Sequence, residues 1–310
     1  MLARIFAIAM NTYREAVRAR ILYGLLAFAL GTAVYSLVVA TLSLRQEARV
    51  VADIGAASMS LYAVLVAIVL GATSLHRELE LKTIFPILTR RLRRHEYLIG
   101  KYLGTLATLS VFVALDGATV LAILALESKQ SPTLLFGCLA LMFAILGITL
   151  VRAKYTRVFV VMPWAYALFL IMTILSQPAG AERQLVLASA TLTLCEVAIV
   201  AAVATVFASF SSPFLTAVFT LWVFLIGRSA DTLGNLPVRS FGQTIRTTGR
   251  VLARVFPNLQ AYVPPRPLLL GEIHEVPVWG FVGSAAMNAL GYTAVLLTIA
   301  ALAFRRRDFQ

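Results

Sequence analysis

Apolar runs of roughly membrane-spanning length recur along this chain, separated by short polar stretches. They predict eight crossing helices, over 21–43, 57–75, 102–126, 133–151, 158–176, 184–208, 213–228 and 276–304. At about 1.5 Å per residue, most of these traverse a hydrocarbon core roughly 30 Å thick. The run 213–228 is short, and a short or broken helix there is accommodated by local bilayer thinning. Ahead of the first run, Leu2, Ile5, Phe6, Ala9, Tyr13, Ala16 and Val17 share one helical face. Arg4, Asn11, Arg14, Glu15 and Arg18 share the other. This pattern predicts an amphipathic helix over 1–20 lying in the membrane interface. Over 229–275, Phe241, Ile245, Leu252, Val255 and Phe256 recur near helical spacing between arginines, and Pro257, Pro264, Pro265 and Pro267 stop any helix. A short amphipathic or re-entrant helix is expected in that segment. In SSPF at 211–214, Ser212 is placed to cap a helix that begins with Pro213.

Composition sharpens the class. The chain is 60% hydrophobic and 13% charged, against about 25% charged in soluble domains. The expected fold is therefore an all-α polytopic membrane protein, a single transmembrane domain over 1–310. The net charge of +13 is compatible with nucleic-acid binding, but the basic residues gather at the ends of apolar runs, where orientation by the positive-inside bias explains them. No nucleic-acid partner is expected. Most Lys and Arg fall on the side that also carries both termini, which places the termini in the cytoplasm. Arg239, Arg246, Arg250, Arg254 and Arg266 run against that bias, in a segment long enough to obey it loosely. Cys138 and Cys195 lie inside apolar runs and read as small buried hydrophobes. The opening MLARIFAIAM lacks the following small-residue site of a cleaved leader.

One stretch exceeds what a connection between spans requires. From His76 to Lys101 the chain reads HRELELKTIFPILTRRLRRHEYLIGK, with Arg90, Arg91, Arg93 and Arg94 beside the apolar patch Ile84 to Leu88. An amphipathic segment here presents Ile84, Phe85 and Leu88 to a groove on a partner, while Arg77, Glu78 and Glu80 set register. The arginine cluster has two readings, docking to that partner or anchoring on anionic headgroups.

Four regions together resemble the permease subunits of ATP-binding-cassette transporters of the type-2, exporter-like class. They are NTYREAVRARILYGLLAFAL, RQEARVVADIG at 45–55, the island RELELKTIFPILTRRLRRHEYLIGKYLG, and CEVAIVAAVATVFASFSSPFLTAVFTLWVFLIGR at 195–228 with the terminal FRRRDF. The branch they resemble is related to the nitrous-oxide-reductase maturation permease. The resemblance implies a bacterial inner-membrane protein whose island is a coupling helix, with Arg77, Glu78, Glu80, Thr83, Ile84, Phe85 and Leu88 meeting a separate ATPase. It implies two ATPase subunits carrying ATP and Mg, and a second permease copy, identical or homologous, in a lipid bilayer. Permeases of this class usually have six spans, so 131–180 reads as an added helical hairpin. Lys82 stands before Thr83 where the family often has Gly.

Two carboxylates, Asp116 and Glu196, fall inside predicted spans, where a charge is costly and faces protein or water. Glu196 also matches a Glu common in the corresponding family span. Either residue lines a pathway or bonds one helix to another. Arg228, at the outer end of its span, reads as an interface anchor. The chain has no G-x-x-x-x-G-K-[ST] loop, G-x-S-x-G elbow or H-E-x-x-H pair. It is therefore expected to be no enzyme itself, with no catalytic, cofactor or metal residues of its own. A membrane anchor that recruits a cytoplasmic partner without transport is the alternative to a transporter subunit.

Overall fold

The computed structural model describes residues 2–43, 46–80, 93–128, 130–153, 157–235, 238–270 and 277–305. Twelve α-helices run through them, and among the described residues there is no strand. They are α1 Leu2–Val17, α2 Arg20–Thr41, α3 Glu47–Glu80, α4 Arg94–Glu127, α5 Pro132–Arg152 and α6 Arg157–Leu175. These are followed by α7 Ala181–Ala208, α8 Pro213–Arg228, α9 Ala230–Gly234, α10 Val238–Val255, α11 Arg266–Leu269 and α12 Val278–Arg305. Seven of them are long and apolar enough to cross a membrane. The eighth expected span is α8, of 16 residues, or about 24 Å at 1.5 Å per residue. Its start follows the sequence: Pro213 opens the helix and Ser212 Oγ accepts from Leu215 N at 3.5 Å.

The bundle has a centre and a periphery. In α3, α4 and α7, 61%, 72% and 67% of the apolar window is buried, against 11–22% in α2, α5, α6 and α12. A membrane helix that turns most of its apolar surface outward is solvated by acyl chains, so the peripheral set needs no further cover. The α5–α6 hairpin sits outermost: Trp164 Nε1 of α6 donates to Met142 O of α5 at 2.8 Å, and the pair is attached where α6 packs on α4.

Two long helices extend beyond their expected limits. α3 and α4 each have 34 residues, roughly 51 Å against a core of roughly 30 Å. The last part of the island, His95 to Lys101, is thus not a separate connector: it continues directly into the span as one helix.

α1 has the expected two faces, but it does not lie apart from the bundle. Ile5, Ala9, Thr12, Tyr13, Ala16 and Val17 are buried, whereas Leu2 and Phe6 are exposed. The buried face packs along the first half of α4. A Cβ on Gly104 would meet the Ala9 carbonyl oxygen at 2.4 Å, so the approach of the two backbones requires glycine there. Tyr13 is fully buried, stacks on Phe159 at 6.4 Å, and leaves its hydroxyl without a partner among the described residues. Burial, with Tyr166 and Tyr23 adding to it, pushes the phenol up to about 12.

Gly104→Val is expected to destabilise the protein by about 2 kcal/mol through overpacking. Tyr13→Phe, which removes an unpaired buried hydroxyl, is expected to stabilise it by about 1 kcal/mol. Thermal unfolding of the detergent-solubilised variants checks both signs.

Candidate functional site

Polar groups concentrate at the two ends of the α3–α4–α7 centre. At the island end the organising side chain is Lys101, whose side chain is only 5% exposed. A buried ammonium needs acceptors, and it finds them on two neighbouring helices. Nζ donates to the Ser74 carbonyl of α3 at 3.1 Å and pairs with Glu15 of α1 at 3.5 Å. It also lies 5.9 Å from the centre of the Tyr97 ring. Tyr97 stacks on Phe304 of α12 at 6.3 Å, and Arg94 donates to the Phe304 carbonyl at 3.4 Å. Glu96 accepts from the Arg93 backbone N–H at 3.4 Å and pairs with Arg4 at 3.9 Å. The first two turns of α4 therefore gather α1, α3 and α12 into a collar at the end of the island.

The island itself is only partly within view. Arg77, Glu78 and Glu80 fall on the last turns of α3, and Thr83, Ile84, Phe85 and Leu88 lie outside the described residues. What the structure establishes is the frame on which they are mounted, two long helices converging at the collar.

The opposite end is built from residues far apart in sequence. Arg228, expected as an interface anchor, instead turns inward from the end of α8. Its guanidinium pairs with Glu196 in α7, and it approaches Ser60 Oγ in α3 at 3.4 Å. Ser60 donates to the other Glu196 oxygen at 2.9 Å. Glu196 is completely buried. A carboxylate there without its cation would carry a large desolvation cost, which outweighs the benefit of an arginine reaching headgroups. Glu196 thus joins α3, α7 and α8 through hydrogen bonds.

The chain after α8 folds back over this cluster. Leu259 N donates to Gly227 O at 3.0 Å, and a Cβ on Gly227 would meet the Pro257 carbonyl oxygen at 2.6 Å. Asn258 Nδ2 donates to Asp231 at 2.8 Å, and Tyr262 OH to the Ala285 carbonyl of α12 at 3.4 Å. At the start of α11, Arg266 pairs with both Asp53 of α3 and Glu182 of α7. Between these two ionic clusters lies a cavity of about 220 Å³, lined by Asp53, Ser60, Ser189, Thr193, Arg228 and Arg266 among others. Its walls combine hydroxyls and paired charges with apolar side chains such as Ala56, Leu185 and Leu269, an arrangement suited to holding water or a small polar solute beside the two ion pairs. The described residues contain no group of three His, Cys, Asp or Glu fit to hold a metal ion.

Asp116 belongs to neither cluster. It is fully buried in α4, neither oxygen has a partner among the described residues, and it does not line the cavity. The structure therefore separates the two intramembrane carboxylates, one ion-paired and one solitary. Spacing along the chain signals neither the inward turn of Arg228 nor the triad of Arg266, Asp53 and Glu182. These residues come from distant elements; Arg228 and Glu182 read locally as end-of-span charges, Asp53 and Arg266 as residues of connecting segments.

With this arrangement the fold defines an all-helical membrane protein with several spans and a polar interior at one end. No protein-family model matches the chain, and no curated protein matches it either.

Arg228→Met is expected to lower stability by about 3 kcal/mol, because it strands a buried carboxylate. Adding Glu196→Gln is expected to recover much of that loss. Thermal unfolding of the two single variants and the double variant measures the coupling; strictly additive losses would mean that the pair does not hold the helices together.

Proposed function

We propose that this chain is the membrane-spanning subunit of an ATP-binding-cassette transporter, driven by a separate ATPase that docks on the cytoplasmic island 76–101. Two copies of the chain, or this chain and a homologous one, assemble with two ATPases, which bind the ATP and Mg. Both termini are cytoplasmic, and the membrane is the bacterial inner membrane. ATP binding closes the ATPase pair, and the coupling region carries that motion to the bundle, with the result that substrate is exported or extracted.

The observation that carries this reading is the collar. A docking element transmits force only if it is mounted on something stiff, and the island is flanked by two 34-residue helices joined beside it through Lys101. Displacement applied at 77–89 is therefore delivered to α1, α3, α4 and α12 together. The ends of α3 and α7 remote from the island carry Asp53 and Glu182, which hold Arg266 over the polar cavity. Rigid-body movement of α3 relative to α7 separates those two carboxylates and opens the cover. The solute path in this reading runs past Ser60, Arg228 and Glu196, and the α5–α6 hairpin is an addition to a six-helix core.

Purification from native membranes is expected to bring down a P-loop ATPase subunit, and the double variant Glu78→Ala, Phe85→Ala is expected to weaken that association at least tenfold, about 1.4 kcal/mol, without impairing membrane insertion. Failure to recover an ATPase from native membranes or by co-expression would leave recruitment of some other partner as the role of the island. Lys101→Met is expected to retain the ATPase while reducing substrate-stimulated hydrolysis, measured as phosphate release by the reconstituted complex.

A further inference from the structure

The helix α10, Val238–Val255, is poorly accounted for by the bundle. It packs against the five-residue α9 and the end of α8, leaving Ile245, Val251 and Val255 54%, 55% and 70% exposed. Helical spacing places positions 239, 246, 250 and 254, all arginine, on one stripe, and Ile245, Thr248, Leu252 and Val255 on the opposite one. The helix contains no Asp or Glu. Arg246 and Arg250 form no ion pair among the described residues, whereas Arg228 and Arg266 in the same half of the chain are paired. Of the acidic side chains on α3 and α7 at this end, Asp53, Glu182 and Glu196 are thus already engaged by those two arginines, which leaves Glu47 in the first turn of α3.

We infer that α10 is an interfacial helix that binds the headgroups of anionic phospholipids at the end of the protein opposite the island. The two stripes call for an occupant that is apolar on one side and anionic on the other, and a leaflet surface supplies both. Ile245, Val251 and Val255 enter the boundary between headgroups and acyl chains, and the guanidinium groups donate pairs of hydrogen bonds to phosphate. Continuity with the membrane favours lipid over a protein partner. α10 is tethered between α8, ending at Arg228, and α12, beginning at Val278. Its position is thereby held near the headgroup layer those helices reach. The same binding accounts for arginines kept on the side that the charge bias of the chain disfavours.

The test is hydrogen–deuterium exchange over 238–255 in the full-length protein, held in nanodiscs of phosphatidylcholine alone or mixed with phosphatidylglycerol. Slower exchange is expected in the anionic discs, with high salt abolishing the difference. Arg246→Gln and Arg250→Gln are each expected to reduce the anionic-lipid protection roughly fivefold, while exchange in α3 and α7 stays unchanged. Equal protection in both lipids would overturn the inference. So would protection that arises only when a soluble protein fraction is added, which would assign this face to a protein partner.

Discussion

A fully buried carboxylate, Glu196, sits midway along a helix at the centre of a membrane bundle, and much of one end of the protein is arranged around it. In its ionised form such a group calls for a cation and hydrogen-bond donors at hand. Arg228 supplies the cation, which requires α8 to end early enough for its last residue to reach inward. A short α8 in turn leaves the chain within the bundle rather than beyond it, and the following segment folds back onto Gly227 instead of leaving. The polar cavity and its second cluster, Arg266 with Asp53 and Glu182, occupy the space created by that return. The short helix, the tight contact at Gly227 and the covered cavity are linked consequences of one buried charge.

The island end answers a different demand. Lys101 is as buried as a core residue, yet its acceptors lie on separate helices, so the contact works as a cross-brace. The aromatic stack of Tyr97 on Phe304 adds the last helix to the same joint. α3 connects the two ends as a single helix, with Asp53 near its start and Ser74 within its later turns. In the transporter reading, that continuity is what makes a cytoplasmic event visible at the far side of the membrane. The solitary Asp116, set in the most deeply buried span, lies outside both joints.

The spans were legible because a bilayer imposes length and apolarity directly on sequence, and seven of the eight expected runs became helices of crossing length. The helix start at Ser212–Pro213 was legible because capping is local chemistry. The packed face of α1 was legible in its period, although Leu2 and Phe6 lie on that face by spacing and remain exposed at its first turns. The polar joints were not legible. Arg228 at a span boundary has the signature of a residue reaching for headgroups, and only the position of Glu196 on a neighbouring helix reverses that choice. Asp53 and Arg266 are far apart in sequence and sit in segments that read as a loop and a proline-rich return. Pairings of this kind arise from helix placement, which hydropathy does not encode.

The central claim is that the island meets an ATPase in the cytoplasm, and Lys82 within it offers a chemical handle. Amine-reactive cross-linking of intact bacterial membranes, read by mass spectrometry, tests the claim most directly. The account predicts links from Lys82 to a P-loop ATPase, and no modification of Lys82 by a membrane-impermeant reagent applied from the periplasmic side. Links from Lys82 to other proteins alone, or its labelling from that side, would contradict the account.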